Sequence, residues 1–164
     1  MPPRLHLVLG APAVGDTRAI GAVLGEALRP GDAIALAGDL GAGKTTLVQG
    51  LARGLGYEGH VASPTFTLIR EYRGRLALQH VDVYRLERIQ DVVDLGLDDD
   101  PDAVVAIEWG DAVEGLLPPD HLTVELRVAT DDARRIALSA AADGTWADRW
   151  DDLRRALAGW EESS

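Results

Sequence analysis

The chain has 164 residues, a length typical of one domain with a single hydrophobic core, and we treat residues 1–164 as one domain. It has no cysteine, which excludes disulfides, thiol catalysis and thiolate zinc sites, and no apolar run near the roughly 20 residues that span a bilayer, so we expect a soluble, cytoplasmic protein without a membrane partner. The net charge of −11 argues against free-standing nucleic-acid binding, because Lys and Arg supply most of the affinity for phosphates.

The first third of the chain predicts alternating strands and helices. Leucines at every second position in segment 5–9 predict an edge strand, and residues 16–28 carry one apolar stripe of helical spacing. The apolar run 33–37 predicts a buried parallel strand, and residues 44–55 predict a second amphipathic helix. Thr17, at the start of the first helix, is either a surface or capping residue or a neighbour of a nucleotide site.

The stretch GDLGAGKTT at 38–46 matches the phosphate-binding pattern GxxxxGK[ST]. Its glycines allow a tight turn whose N–H groups face phosphate oxygens, and the helix that begins at Lys44 adds the positive end of its dipole. Lys44 is the only lysine, and it would reach the β and γ phosphates while the Thr45 hydroxyl binds Mg²⁺. The alternative is a glycine-rich turn without a ligand. The predicted nucleotide contacts here are Gly41, Ala42, Gly43, Lys44, Thr45 and Thr46.

The next segment, residues 57–67, lacks clear periodicity. In phosphate-loop NTPases a Ser or Thr in this place often approaches the γ-phosphate as part of a switch. Ser63, Thr65 and Thr67 are the candidates, and we take Thr65 as the catalytic one. An ordinary polar loop stiffened by Pro64 is the alternative.

Two alternating segments, 67–72 and 76–84, predict an antiparallel hairpin. The face of its second strand that carries His80 and Asp82 becomes more polar toward one end, as expected of a strand that enters a site. His80 by itself is more often a buried structural histidine. Asp82 is a stronger candidate for the reactive end of the site, where it would position water or act as an outer-sphere ligand of a metal. The alternative is a carboxylate that anchors a turn by a hydrogen bond.

A continuous apolar run at 103–107 followed by Glu108 has the form of a Walker B strand. Such a strand delivers one carboxylate to its carboxyl end, beside the phosphate loop. We therefore assign Glu108, together with Thr45, to Mg²⁺.

The last third of the chain predicts two further strands, at 121–128 and 134–140, and a C-terminal amphipathic helix at about 146–160. Large apolar side chains on that helix fall at steps of four, three, four and three: Trp146, Trp150, Leu153, Leu157 and Trp160. The helix either packs on its own domain or offers a surface to a partner.

Taken together, four motifs resemble the TsaE family, also called YjeE, of small bacterial ATPases that act in tRNA threonylcarbamoyladenosine biosynthesis. The motifs are GDLGAGKTT at 38–46, SPTFTL at 63–68, HVDVYR at 80–85 and IEWGD at 107–111. The similarity runs from about Thr17 to Arg135. The resemblance implies a P-loop NTPase fold, a three-layer α/β sandwich with a mixed central sheet.

The resemblance also implies Mg²⁺-dependent ATP hydrolysis that is slow without partners. The partners would be TsaB and TsaD, which transfer a threonylcarbamoyl group to the adenosine beside the anticodon, so tRNA would be met only through the complex. In this family Lys44 and Thr45 take the phosphate and Mg²⁺ roles, Glu108 is the Mg²⁺ carboxylate and Asp82 is needed for turnover. Thr17 and Arg135 would lie near the nucleotide.

Three other functions share some of these features. A small-molecule kinase would use the same loop and Mg²⁺ site, but it needs an acceptor pocket and usually an Arg-bearing lid, and the sequence has no clear lid insertion. A nucleotide-sensing adaptor would bind ATP and hydrolyse almost none. A GTPase is excluded in its usual form, because the chain contains no asparagine and so no NKxD motif.

Overall fold

Seven strands in the described part of the computed structural model form one mixed sheet, in the order β1-β7-β6-β2-β5-β4-β3. The structure describes residues 3–39, 41–61, 69–82, 100–108, 118 and 120–162. The strands are β1 (Arg4–Ala11), β2 (Ala33–Ala37), β3 (Ile69–Arg73), β4 (Ala77–Asp82), β5 (Val104–Glu108), β6 (Leu122–Val128) and β7 (Arg134–Ala141). The predicted α/β class with a mixed sheet is confirmed, and β1 lies at one edge as expected.

Strand direction places several chain ends at one edge of the sheet. Strands β6, β2, β5 and β4 are mutually parallel, whereas β7 and β3 run antiparallel to their neighbours. The predicted hairpin is therefore β3–β4, and its second strand joins the parallel core. Because β1 is antiparallel to β7, it runs in the same direction as β2. The carboxyl ends of β1, β2, β4 and β5 consequently meet at the edge where a ligand binds in open α/β sheets.

The helices are α1 (Val14–Ala27), α2 (Lys44–Gly54) and α3 (Trp150–Ala156), with 3₁₀ turns at Ala147–Arg149 and Ala158–Trp160. None of the helices in the described ranges is long and apolar enough to cross a membrane. The prediction of one continuous helix over 146–160 is wrong, because α3 is flanked by the two turns. Gly159, a poor helix former, lies inside the second turn, and the tighter winding there turns the chain toward β1. The sequence also predicts a short helix at residues 87–95, which fall outside the described residues.

The central strand β2 is buried on both faces, as its uninterrupted apolar sequence predicts. Ile34 and Leu36 join the core formed with α1 and α2, together with Val104 and Ala106 of β5. Side chains alternate along a strand, so every second residue of β5 lies on the same face. Glu108 is the next such residue after Val104 and Ala106, and it therefore lies on the face of the sheet that α2 covers.

Helices α1 and α2 run parallel and pack backbone to backbone. A Cβ on Gly50 would overlap the Arg18 carbonyl and lie 2.8 Å from the Gly21 Cα, and a Cβ on Gly54 would lie 2.9 Å from the Gly25 Cα. Glycine at these positions allows an approach that any side chain would prevent. Because the two helices advance together, their N-termini lie side by side at the carboxyl edge of the sheet.

The C-terminal region packs on its own domain and runs back along α1, antiparallel to it. Arg149 forms a buried, two-pronged ion pair with Asp32, with nitrogen to oxygen distances of 2.7 and 2.8 Å, and donates 2.8 Å to the Ala27 carbonyl. Its guanidinium stacks 3.6 Å from the ring centroid of Trp146. Three of the large apolar residues that follow Trp146 at helical spacing are also buried: Trp150, Leu153 and Leu157.

Candidate nucleotide-binding site

The loop after β2 has the backbone geometry of an anion site. Gly41 and Gly43 lie at φ of +82° and +103°, values that side chains rarely adopt, and α2 begins immediately afterwards at Lys44. The first helical hydrogen bond runs from the Leu47 N–H to the Gly43 carbonyl at 2.9 Å. The N–H groups of residues 44–46 therefore have no acceptor within the helix and no capping side chain. These groups can bind phosphate oxygens.

The side chains of the first turn of α2 are accessible from this loop. Lys44, Thr45 and Thr46 are each half-buried, whereas Leu47 and Val48 behind them are fully buried. Ala42 is buried and holds the loop against the core. The apolar side of α2 is thus buried in the core, and the polar residues Lys44–Thr46 lie at the end of the helix next to the loop.

Arg134, at the start of β7, donates hydrogen bonds to backbone carbonyls of the phosphate loop. Its Nε donates to the Ala42 carbonyl at 2.9 Å and its Nη2 to the Gly41 carbonyl at 3.2 Å. The remaining Nη1 donates to three carbonyls of the β6–β7 turn, those of Thr130, Asp131 and Ala133, at 2.9 to 3.1 Å. The planar guanidinium therefore ties the turn to the loop and leaves the loop N–H groups free for a ligand.

The neighbouring residue, Arg135, was the one predicted to lie near the nucleotide. Its guanidinium instead pairs with Glu162, with Nη2 2.8 Å from Oε2. Adjacent residues of a strand face opposite sides of the sheet, so only one of the two arginines can reach the loop. The apolar residues Ile136, Leu138 and Ala140 show which residues of β7 share a face. They do not show which face of the strand lies against the loop.

Glu108 occupies the carboxyl end of β5, beside the strand that leads into the loop. In the parallel register it pairs with Leu36, two residues before Gly38. Its side chain is 7% exposed, and the ring of fully buried His80 approaches it, with Nε2 3.3 Å from Oε1. Neither nitrogen of that ring forms a hydrogen bond within the described part of the chain. Buried carboxylates are paired, hydrogen-bonded or bound to metals, so Glu108 is a candidate ligand for a cation at this edge of the sheet.

Asp82 is placed by its backbone at the end of β4, where it pairs with Glu108 across the parallel register. Both predicted acidic residues therefore come from neighbouring strand ends at the same edge of the sheet. The switch candidates Ser63, Thr65 and Thr67 fall outside the described residues, so their roles remain predictions.

Thr17 lies in the first turns of α1 and is 2% exposed, and its hydroxyl has no hydrogen-bond partner within the described ranges. Gly21, one turn later, meets the Leu47 carbonyl of α2. Since the helices are parallel, Thr17 faces the first turn of α2. A buried hydroxyl that has no partner among the described residues, beside the first turn of α2, supports the predicted place of Thr17 near the nucleotide.

A glycine loop between a central parallel strand and a helix, on a mixed seven-stranded α/β sheet, is the fold of a P-loop NTPase. The profile of the family described as threonylcarbamoyl adenosine biosynthesis protein TsaE matches residues 11–136. The chain belongs to the TsaE family.

Individual relatives agree with this assignment. The tRNA threonylcarbamoyladenosine biosynthesis protein TsaE of Treponema pallidum is 44% identical over 126 residues, which cover 76% of this chain and 93% of that protein. The protein of the same name from Bacillus subtilis is 44% identical over 131 residues, covering 78% and 82%. Among solved structures, Bacillus subtilis YdiB superposes with a TM-score of 0.73 at 35% identity and covers 97% of both chains.

Proposed function

We propose that this protein binds and hydrolyses Mg²⁺-ATP in the threonylcarbamoyladenosine modification of tRNA. The observation that carries the proposal is the loop after β2, where positive-φ glycines lead into the start of α2 at Lys44 and buried Glu108 ends the neighbouring strand. Membership of the TsaE family supports the pathway.

We assign each candidate residue a role in this reaction. The N–H groups of residues 44–46 and the Lys44 ammonium would bind the β and γ phosphates, with Thr17 at the side of the site. Thr45 and Glu108 would hold Mg²⁺, which neutralises charge on the phosphates. Asp82 would position the attacking water, and Thr65 would complete the γ-phosphate contacts.

Two features of this chain are consistent with partner proteins of the TsaB and TsaD kind: its net negative charge and the proposed switch at residues 57–67. The net charge of −11 makes this chain complementary to a basic protein surface and unsuited to holding tRNA by itself. Tyr57 and Val61 pack on the core, and we propose that docking of a partner brings the switch candidates that follow them to the γ-phosphate. We therefore expect slow hydrolysis by the isolated protein and faster hydrolysis in the complex.

Phosphate release from ATP, measured with and without TsaB and TsaD, tests this function. The expected result is a rate that rises in the presence of both partners and requires Mg²⁺. Transfer of the γ-phosphate to a small-molecule acceptor would favour a kinase instead. Tight ATP binding with no phosphate release under any condition would favour a nucleotide-sensing adaptor.

A further inference from the structure

The chain ends in a segment that lies outside the 11–136 match and reaches the edge of the sheet that carries the site. We call residues 157–162 the C-terminal strap. At its base, Arg149 in the turn before α3 donates to the Ala27 carbonyl at the far end of α1 and pairs with Asp32, which precedes β2. From there the strap follows α1 back toward the first turn of that helix, so its position is set at both ends.

Trp160 contacts the start of α1 directly. Its Nε1–H donates to Asp16 Oδ1 at 3.0 Å, and the second oxygen of the same carboxylate accepts from the Ala13 N–H at 3.1 Å. Asp16 therefore caps α1 with one oxygen and binds the strap with the other. Thr17, whose hydroxyl has no partner within the described residues, is the next residue along the helix.

The two residues after Trp160 attach to β1. Glu161 forms a single antiparallel bridge with Leu9, and the Glu162 N–H donates to the Val8 carbonyl at 2.9 Å. The Glu162 side chain covers Gly10, where a Cβ would lie 2.9 Å from Oε1. The strap thus holds the end of β1 and the start of α1, the two elements that flank the connection leading to Thr17.

We propose that the strap is a positioning device for the nucleotide site, in which Trp160 holds the first turn of α1 beside the phosphate loop and thereby raises the affinity for nucleotide. The inference rests on the proposed nucleotide binding and assigns a role to a segment beyond the matched region. Because the coupling is reciprocal, bound nucleotide also stabilises the strap.

Trp160→Phe in the full chain tests this role, since it keeps an aromatic ring and removes the N–H donor to Asp16. The loss of one hydrogen bond to a carboxylate predicts a three- to thirtyfold rise in the Kd for ADP or Mg²⁺-ATP, as an order of magnitude. Trp150→Phe is the matched control, because Trp150 is buried in α3 away from the loop. It should lower Tm and leave the Kd unchanged.

Hydrogen exchange provides a readout that needs no nucleotide. Trp160→Phe should speed exchange of the amides of residues 13–17, and Trp150→Phe should not. Asp16→Ala removes the acceptor of the Trp160 N–H and should also speed this exchange, and the double variant with Trp160→Phe should be less than additive because both changes remove the same contact. In the wild type, saturating ADP should slow exchange in residues 157–162.

Unchanged exchange at residues 13–17 in Trp160→Phe would overturn the positioning role, whatever the nucleotide result. A Kd within twofold of wild type, in a protein that binds nucleotide, would overturn the link to affinity. Absence of any ATP or ADP binding by the wild type would instead contradict the proposed function, and the exchange experiment would then decide the positioning of α1 alone.

Discussion

Arg134 donates a 2.9 Å hydrogen bond to the Ala42 carbonyl, joining the start of β7 to the phosphate loop across 92 positions of sequence. Arg134→Lys retains the charge but removes the fork that reaches five carbonyls. We expect it to lower Tm and to weaken Mg²⁺-ATP binding about tenfold, which corresponds to one or two lost charge-assisted hydrogen bonds. Isothermal titration calorimetry measures the binding, and thermal unfolding measures the stability.

Arg135→Lys is the matched control for that experiment. Its guanidinium is 60% exposed and pairs with Glu162, and an exposed pair of this kind contributes little. We expect nucleotide affinity close to that of wild type. If Arg135→Lys weakened binding more than Arg134→Lys, the assignment of the loop contact to Arg134 would be wrong and the sequence-based prediction for Arg135 would be favoured.

Neutralising Glu108 and neutralising Asp82 should have different effects, one on nucleotide binding and the other on turnover. Glu108→Gln removes the proposed metal ligand, so nucleotide binding should lose its dependence on Mg²⁺. Asp82→Asn should leave binding intact and slow turnover about a hundredfold, the scale of a lost water-positioning group. Titration with and without Mg²⁺, combined with phosphate release in the presence of partners, separates the two. Wild-type turnover in Asp82→Asn would exclude its proposed role.

The glycine contact between α1 and α2 predicts a large steric effect of a small change. Gly50→Ala places a methyl group against the Arg18 carbonyl and should destabilise the fold by about 1–3 kcal/mol as the helices move apart. Gly15→Ala is the control, because a Cβ there meets nothing within 4 Å. Urea unfolding should give equal or greater stability for Gly15→Ala. Equal stability of both variants would show that the two helices separate without cost.

The buried Asp32–Arg149 pair predicts that the C-terminal region contributes to folding. Asp32→Ala leaves the arginine buried without its partner and should cost about 3–5 kcal/mol. Asp148→Ala, which removes the exposed partner of Arg29, should have no resolvable effect. The Arg29 hydrogen bond lowers the pKa of Asp148, so whatever that pair contributes is present above the ordinary carboxylate pKa and lost on acidification. A loss in Asp148→Ala as large as in Asp32→Ala would contradict this ranking.

Local chemistry explains which parts of the site could be predicted from sequence. The phosphate loop depends on glycines, one lysine and the start of a helix, all within residues 38–46, and the structure places the turn and α2 as expected. Glu108 follows a short apolar run that is typical of a buried strand, so its position at the carboxyl end of β5 was also predictable.

The parts that were not predicted depend on contacts between distant segments. The choice between Arg134 and Arg135 depends on which face of β7 meets the loop, and two consecutive arginines give no signal for that. The tryptophan spacing left open whether the C-terminal region packs on its own domain or binds a partner, and the Trp160–Asp16 bond depends on where α3 docks along α1. The Asp32–Arg149 pair likewise joins residues 117 positions apart.

Calorimetric titration of the wild type and Lys44→Ala with Mg²⁺-ATP tests the nucleotide-site assignment most directly. The wild type should bind one equivalent, and the variant should bind at least ten- to a hundredfold more weakly, as an order of magnitude for the loss of a cation at the phosphates. The half-buried Lys44 side chain is not part of the core, so thermal unfolding of the variant should match that of the wild type. Equal ATP affinity in the two proteins would contradict the assignment of residues 38–46 as the phosphate-binding loop.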